Sequence, residues 1–170
     1  RMGRPRQHFY DDCDPDIAAA MEASLDVFRK LGAKIVDVDV PDLTVYNAAG
    51  GLISSSEAAT FHGEWLRTRA ADYSDQVRGR LLQGLAIPAT AYINALRARG
   101  AALGEFCEQV FSKVDILHGP VLSILTPTVA ETDLGWSERT AQVLARITRL
   151  TRPGNYLGLP TVCANAAFTR

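Results

Sequence analysis

The sequence predicts an α/β protein in which a mixed β-sheet is flanked by helices. Short apolar segments of strand length alternate along the chain with longer segments whose apolar residues recur at helical spacing. The chain has 170 residues and is 47% hydrophobic, which is enough to bury one substantial core. We therefore expect a single domain over residues 1–170.

Composition argues against several classes of protein. The 18 basic and 19 acidic residues nearly balance, which disfavours nucleic acid or an anionic membrane as a partner. No apolar run reaches membrane-spanning length. The cysteines Cys13, Cys107 and Cys163 are odd in number and widely spaced, so they indicate neither a disulfide framework nor a metal site. A reducing cytoplasm is the expected compartment.

The first forty residues predict strand, helix and strand. A short strand over 1–5 leads into an acidic loop, where Asp14 is a good N-cap for a helix over 15–31. The next strand, 35–40, alternates valines with aspartates, which is typical of a half-buried strand. The remaining predicted elements are helices over 45–70, 75–87, 89–114 and 138–150, a strand leading into a loop over 115–120 and an irregular segment over 121–136.

The segment 151–168 organises the end of the chain. Pro153 lacks an amide hydrogen and disfavours helix at the residue before it, so we expect the preceding helix to stop in a sharp polar bend. A second turn at 157–160 precedes an apolar run, 161–168, which we expect to be a buried strand. Bends of this kind carry ligand-contacting groups in α/β proteins.

This segment also carries a family motif. Its run T-x-P-x-N-x-x-G-L-P, from Thr151 to Pro160, resembles the later half of the amidase signature enzymes. These are serine hydrolases that cut carboxylic amides, and they include the glutaminase subunit of tRNA-dependent amidotransferases. Further matches occur in the family's order. The chain opens with R-x-G-x-P at 1–5, where Arg4 replaces the usual Val, and continues with D-P-helix-L-G-A-strand-P at 14–41. Later matches are S-E-A at Ser54, Glu57 and Ala58, Y-x-x-A-x-x-x-R at Tyr92, Ala95 and Arg99, and D-x-L-x-x-P at 115–120.

The resemblance implies a partial amidase signature fold from which the catalytic groups are missing. The family uses a Lys, a bridging Ser and a nucleophilic Ser in a glycine-serine loop, whereas Lys30, Lys34 and Lys113 are the only lysines here and no such loop follows them. Arg1 is not an initiator, and 166–170 stops as if inside a sheet. We therefore expect a carboxy-terminal piece of a longer amidase, inactive alone, with no cofactor and no catalytic residue of its own.

Three other patterns do not hold as independent sites. The run 50–57 superficially resembles a nucleophile loop, but no glycine follows its serines, so it favours a tightly packed helix start. The aspartates at 12, 14 and 16 resemble a calcium loop that lacks its Gly and its bidentate Glu. The three histidines lack the spacing of zinc ligands.

Four residues are candidate substrate contacts. The resemblance places Arg80, in an R-x-x-x-G helix, where relatives hold the carboxylate of glutamine, although a solvated charge or an ion pair with Asp72 or Asp75 explains it equally well. His118 sits at a predicted strand end, with a partly buried histidine bonded to backbone as the alternative. Thr151 and Asn155 are expected to stabilise the bend and line the pocket. Arg99 is expected to be structural.

The position at which relatives carry an Asp for the ammonium of glutamine holds Thr148, which favours a different amide. The favoured hypothesis is a stand-alone amidase acting on a small amide, with the remainder of its own polypeptide as partner. A homodimer is compatible with it, and neither nucleic acid nor membrane is contacted directly. Two alternatives stay open: the glutaminase component of an amidotransferase, and a non-catalytic interaction domain.

Overall fold

The structure is a computed structural model that describes residues 1–133, 135 and 137–168. Two positions of the predicted irregular segment, 134 and 136, lie outside this part, as do 169 and 170 of the terminal run. The strands are β1 (Met2–Pro5), β2 (Ile35–Val38) and β3 (Ile116–Leu117). The helices are α1 (Pro15–Lys30), α2 (Leu43–Thr68), α3 (Asp75–Leu85), α4 (Ala89–Phe106), α5 (Val129–Thr132), α6 (Glu138–Thr148) and α7 (Arg152–Leu157).

The described strands form one parallel sheet in the order β2-β1-β3. Met2 is in register with Ile35 on one side and with Ile116 on the other. The α/β class with flanking helices is confirmed, but the expected mixed sheet is parallel over the described strands. The reason is connectivity, because α1 joins β1 to β2 and α2–α4 lie between β2 and β3, and helical crossovers return the chain in the same direction.

Helix α1 forms as its sequence predicts. The Asp14 side chain accepts a hydrogen bond from the amide of Asp16, and Pro15 occupies a position that needs no amide hydrogen. Met21 and Leu25 point into the core, while Gly32, at φ 94°, turns the chain after the helix. The local signals and the packing therefore agree in this element.

Helix α2 is the centre of the packing. Its Leu43 and Tyr46 join Val38, Phe106, Val110 and Leu157 in the main buried cluster. A Cβ at Gly84 of α3 would collide with the backbone carbonyl of Ser55 and lie 2.7 Å from the Cβ of Ala59. The absence of a side chain at Gly84 thus sets how closely α3 approaches α2.

Two predicted elements have different bounds. The helix predicted over 89–114 changes to a π-helical turn at Cys107–Phe111, where the wider winding accompanies full burial of Val110. The strand predicted at the start of 115–120 is limited to Ile116–Leu117, and the backbone amide of His118 donates one more bond to the Gly3 carbonyl at 2.9 Å before the chain enters the predicted loop.

The prediction for 151–168 is wrong in two respects. The expected bend is the first turn of α7, in which Pro153 occupies an early position where the missing amide hydrogen costs nothing, and Gly158, at φ 74°, ends the helix. The run 161–168 is not a buried strand, because no described strand lies beside it and its residues are exposed, Val162 by 94% and Phe168 by 89%.

Candidate functional site

A cavity of about 330 Å³ opens where α2, α4 and α7 meet. Its lining combines apolar, polar and charged side chains, a composition typical of small-molecule sites. The residues that line it are Gly50, Ile53, Ser54, Glu57, Leu96, Arg99, Thr148, Thr151, Arg152, Asn155 and Tyr156.

Thr151 and Asn155 lie together on this cavity wall. They stand one helical turn apart at the start of α7, and the Thr151 hydroxyl donates to the Thr148 carbonyl at 3.4 Å. Both are exposed, so their remaining hydrogen-bonding groups are open to the cavity. The structure therefore brings together two of the four predicted substrate contacts.

Arg152 is the half-buried charge of the cavity. Its guanidinium donates to the Thr148 hydroxyl at 2.8 Å and to the Asn47 side-chain oxygen at 3.4 Å. The stem lies over two glycines: a Cβ on Gly50 would sit 3.1 Å from the Arg152 Cγ, and one on Gly51 would sit 3.4 Å from its Nη1. Burial, with a contribution from the positive charge of Arg80, holds the pKa of Arg152 below its usual value.

Sequence reasoning gave Arg152 no role in the pocket. The available signal was the pair of small residues at 50 and 51 together with Thr148, because these positions leave room and a neutral acceptor for a long side chain. Reading that signal requires knowing that α2 and α7 are neighbours.

Arg99 and Glu57 complete the charged lining. The Arg99 guanidinium rests against Gly158, where a Cβ would collide with it, so this arginine packs on α7 as well as lining the cavity. The Tyr92 hydroxyl donates to a Glu57 carboxylate oxygen at 3.2 Å. Arg99, Glu57 and Tyr92 belong to the family motifs found in the sequence; Arg99 and Glu57 line the cavity, and Tyr92 is bonded to Glu57.

Arg80 lies on α3, exposed and outside the lining of the cavity. The ion pairs considered for it are made by other arginines, since Arg78 contacts Asp75 at 2.6 Å and Arg69 contacts Asp72 at 3.9 Å. What Arg80 brings to the cavity is charge, through its electrostatic effect on Arg152.

His118 belongs to a separate cluster between the sheet and α1. Its Nε2 is 3.0 Å from the Ser24 hydroxyl, and its ring meets the Phe28 ring edge-on at a centroid distance of 5.9 Å. The side chain thus bonds a hydroxyl, whereas the alternative considered from the sequence was a backbone group. The Nδ1 atom of His118 is buried and has no hydrogen-bond partner among the described residues. Burial lowers the pKa of the His118 side chain.

A second cavity, of about 780 Å³, lies beyond the carboxyl ends of β1 and β2. Its polar wall is held by Arg149, whose guanidinium donates to the carbonyls of His8 and Asp11 and whose own carbonyl accepts a bond from the Asn47 side-chain amide at 2.9 Å. Arg152 borders both cavities. The carboxyl end of a parallel sheet is the usual ligand position in α/β proteins, but the sequence did not indicate these residues.

The serines of the 50–57 run lie inside α2. Ser54 donates to the Gly51 carbonyl at 3.1 Å and Ser56 donates to the Leu52 carbonyl at 2.9 Å. Their hydroxyl hydrogens are bonded within the helix, which is typical of helical serines. Over the described ranges, no three His, Cys, Asp or Glu side chains are grouped closely enough to hold a metal ion. No helix in the same ranges is long and apolar enough to cross a membrane.

A parallel sheet flanked by helices defines an α/β unit. The family model described as Amidase matches residues 1–170, and the chain belongs to the amidase family. It is 31% identical over 171 residues to an amidase of Pseudomonas putida, covering 100% of this chain and 36% of that protein. It is 27% identical over 191 residues to a glutamyl-tRNA(Gln) amidotransferase subunit of Roseiflexus castenholzii, covering 99% of this chain and 38% of that protein.

Solved structures agree with the sequence relatives. A crystal structure of an amidase superposes with a TM-score of 0.76 at 26% identity, covering 92% of this chain and 36% of the other. A chain from a vestigial protein complex, described as revealing the evolutionary origins of an s-triazine catabolic enzyme, superposes with a TM-score of 0.77 at 26% identity, covering 93% and 34%. The present chain therefore spans little more than a third of the length of these relatives.

Proposed function

We propose that this chain is the carboxy-terminal portion, folded as one domain, of an amidase that hydrolyses a carboxylic amide to an acid and ammonia or an amine. The serine nucleophile lies outside the 170 residues, and this portion supplies sheet scaffold and substrate pocket. The observation that carries the proposal is the cavity between α2, α4 and α7, which is lined by Thr151 and Asn155 of the family motif.

The chemistry of amide cleavage supports this division. An amide carbonyl is a poor electrophile, so its hydrolysis needs an activated nucleophile, a base and donors for the oxyanion. A lysine base must be neutral, which requires burial, but Lys30, Lys34 and Lys113 are all exposed. Ser54 and Ser56 of α2 donate to helix carbonyls, and Ser55 lies between them in the same helix. Among the described hydrogen bonds, none joins any of these three hydroxyls to a side chain that could act as a base.

The proposed substrate contacts are Thr151 and Asn155 on the cavity wall, with Arg80 and His118 retained as candidates outside its lining. The proposed partners are a small-molecule amide and the remainder of the polypeptide. The cytoplasm remains the proposed compartment, supported by cysteines that are free thiols in the structure.

Ammonia release from linear amides tests the division of labour. We expect turnover by the full-length polypeptide that contains these residues, and none by the 170-residue chain alone. Ser55→Ala in the full-length polypeptide is the matched control and leaves turnover within about twofold, because Ser55 lies within α2. Turnover by the chain alone that disappears in Ser55→Ala would overturn the proposal.

The glutaminase component of a tRNA-dependent amidotransferase is the second candidate. Its support is the similarity to glutamyl-tRNA(Gln) amidotransferase subunits, which extends over 99% of this chain. Thr148 in place of the ammonium-binding acid argues against it. Calorimetric titration of the full-length polypeptide with glutamine separates the two, since the favoured proposal expects no binding at millimolar glutamine.

A further inference from the structure

The cavity between α2, α4 and α7 concentrates positive charge. Arg99 reaches it from α4 and Arg152 from α7, while Arg80 on α3 is close enough to act on Arg152 electrostatically. Like charges on three helices repel one another, so this arrangement favours an anion between them.

The two lining arginines have unused hydrogen-bond donors. A guanidinium carries five N–H groups, and the bonds of Arg152 go to two neutral acceptors, the Thr148 hydroxyl and the Asn47 amide oxygen. Within the described residues, no carboxylate lies within 4.0 Å of the Arg99 or Arg152 guanidinium. A half-buried guanidinium without an anionic partner carries a desolvation cost that a bound anion offsets.

Close approach to glycines brings both arginines to the cavity wall. Gly50 and Gly51 leave room for the Arg152 side chain on α2, and Gly158 leaves room for the Arg99 guanidinium at the end of α7. Arg152 is further held by its bonds to the Thr148 and Asn47 side chains, whereas Arg99 is exposed. Glu57 is the one carboxylate among the lining residues, and it is engaged by the Tyr92 hydroxyl.

From this geometry we propose that Arg152 and Arg99 form a carboxylate-binding subsite, and that the substrate is a linear amide bearing a free carboxylate, such as the monoamide of a short dicarboxylic acid. A planar carboxylate matches the paired N–H groups of guanidinium, which a neutral amide does not. This inference rests on the proposed function for the reaction, but the binding of the carboxylate is a separate property.

Kinetics on paired substrates test the specificity. The full-length polypeptide is assayed with the monoamides of oxalic, malonic and succinic acid and with the corresponding neutral diamides. At least one monoamide is expected to have a kcat/KM tenfold or more above its diamide. Arg152→Gln raises KM for that monoamide at least tenfold and leaves KM for the diamide within twofold.

Three variants separate the subsite from a structural effect. Arg152→Lys keeps the charge but loses the paired donors, so its KM for the monoamide is intermediate. Glu57→Gln removes the competing negative charge, so it lowers that KM. Arg97→Gln, an exposed arginine on α4 outside the cavity lining, is the matched control and changes neither substrate. If Arg152→Gln does not fold, Arg99→Gln takes its place.

Equilibrium binding distinguishes failure of the subsite from failure of the proposed function. The corresponding dicarboxylates, oxalate, malonate and succinate, are titrated calorimetrically into the same polypeptide. Dicarboxylate binding that weakens at least tenfold in Arg152→Gln supports the subsite, even where no amide is turned over. Absence of amide turnover would overturn the proposed function but not the subsite. Equal turnover of monoamides and diamides, or dicarboxylate binding that is undetectable or unchanged in Arg152→Gln, overturns the subsite.

Discussion

Arg4 illustrates how a single side chain departs from the family pattern without disturbing the fold. In the register of β1 and β2 it lies opposite Asp37, and its guanidinium contacts that carboxylate at 2.7 Å and Glu22 at 3.1 Å. These contacts raise the pKa of Arg4 and lower the pKa of Asp37. Because the groups are solvent-exposed, the Arg4–Asp37 pair contributes under about 1 kcal/mol to the free energy of unfolding. A charge at this position is therefore tolerated at the sheet surface.

The environment of His118 indicates how the free energy of unfolding depends on pH. The Ser24 hydroxyl donates its hydrogen to the Met21 carbonyl, so Nε2 of His118 is the donor to Ser24 and Nδ1 holds an unpartnered lone pair. Burial lowers the pKa of His118 in the folded state from its usual 6.5. As the pH falls through 6.5, the usual pKa that the unfolded chain keeps, the unfolded chain binds more protons than the folded chain, so the free energy of unfolding decreases.

We expect urea unfolding between pH 7.5 and 5 to show this loss on the acid side, and His118→Gln to make it smaller. Gln keeps a donor for Ser24 but does not titrate. Some dependence remains, because burial also lowers the pKa of His8. A pH profile identical in wild type and His118→Gln would contradict this account of the His118 environment.

At the scale of elements, α2 positions the site through the small residues that it presents to neighbouring helices. Its amino-terminal half presents Gly50 and Gly51 to α7, and its next turn receives Gly84 of α3. Small residues on facing helices allow backbones to approach closely, and here they bring Arg152 to the cavity wall. The sequence run 50–57 resembles a nucleophile loop for this reason, since close packing and oxyanion loops both require small residues.

The contact between α2 and α3 gives a prediction about stability. Gly84→Ala places a methyl group against the Ser55 carbonyl and the Ala59 side chain, so it destabilises by about 1–3 kcal/mol despite the better helix propensity of Ala. Gly63→Ala on α2 is the matched control: nothing lies within 4 Å of its Cβ, so it stabilises by up to about 1 kcal/mol. Urea denaturation measures both, and a stabilising Gly84→Ala would show that the helices are not in close contact.

Helix α7 shows that one proline can both end a helix and begin the next. Pro153 disfavours continuation of the preceding helix, in agreement with the end of α6, but it also occupies the first turn of α7. Pro near the start and Gly158 just past the end are the signature of a short helix. That signature is present in the sequence, but the apolar run after it favours a different prediction, a bend followed by a strand.

At the scale of the whole molecule, 161–168 is a segment that the rest of the described chain leaves uncovered. All eight residues are exposed in the structure, although their composition is that of a strand. An apolar strand is stabilised by a neighbour on its edge and a face to cover, and the described residues offer neither.

Ending the chain after Pro160 should therefore change the free energy of unfolding by less than about 0.5 kcal/mol. Leu157→Ala, three residues earlier and only 2% exposed, is the comparison and should cost about 2–5 kcal/mol. Both are measured by urea denaturation of the 170-residue chain. A loss from the truncation as large as that from Leu157→Ala would show that 161–168 packs on the fold.

The sequence by itself determined the α/β class, the helix starts at Asp14 and Ser137, and the motif residues Thr151 and Asn155, because these depend on neighbours within a few positions or on direct resemblance. Only the tertiary structure decided that Arg152 faces the cavity, that His118 lies apart from it and that 161–168 is uncovered. Each of these depends on contacts between distant segments, such as Asn47 with Arg152 across 105 positions. Local composition does not specify which helices become neighbours, so it does not specify which charges share a cavity.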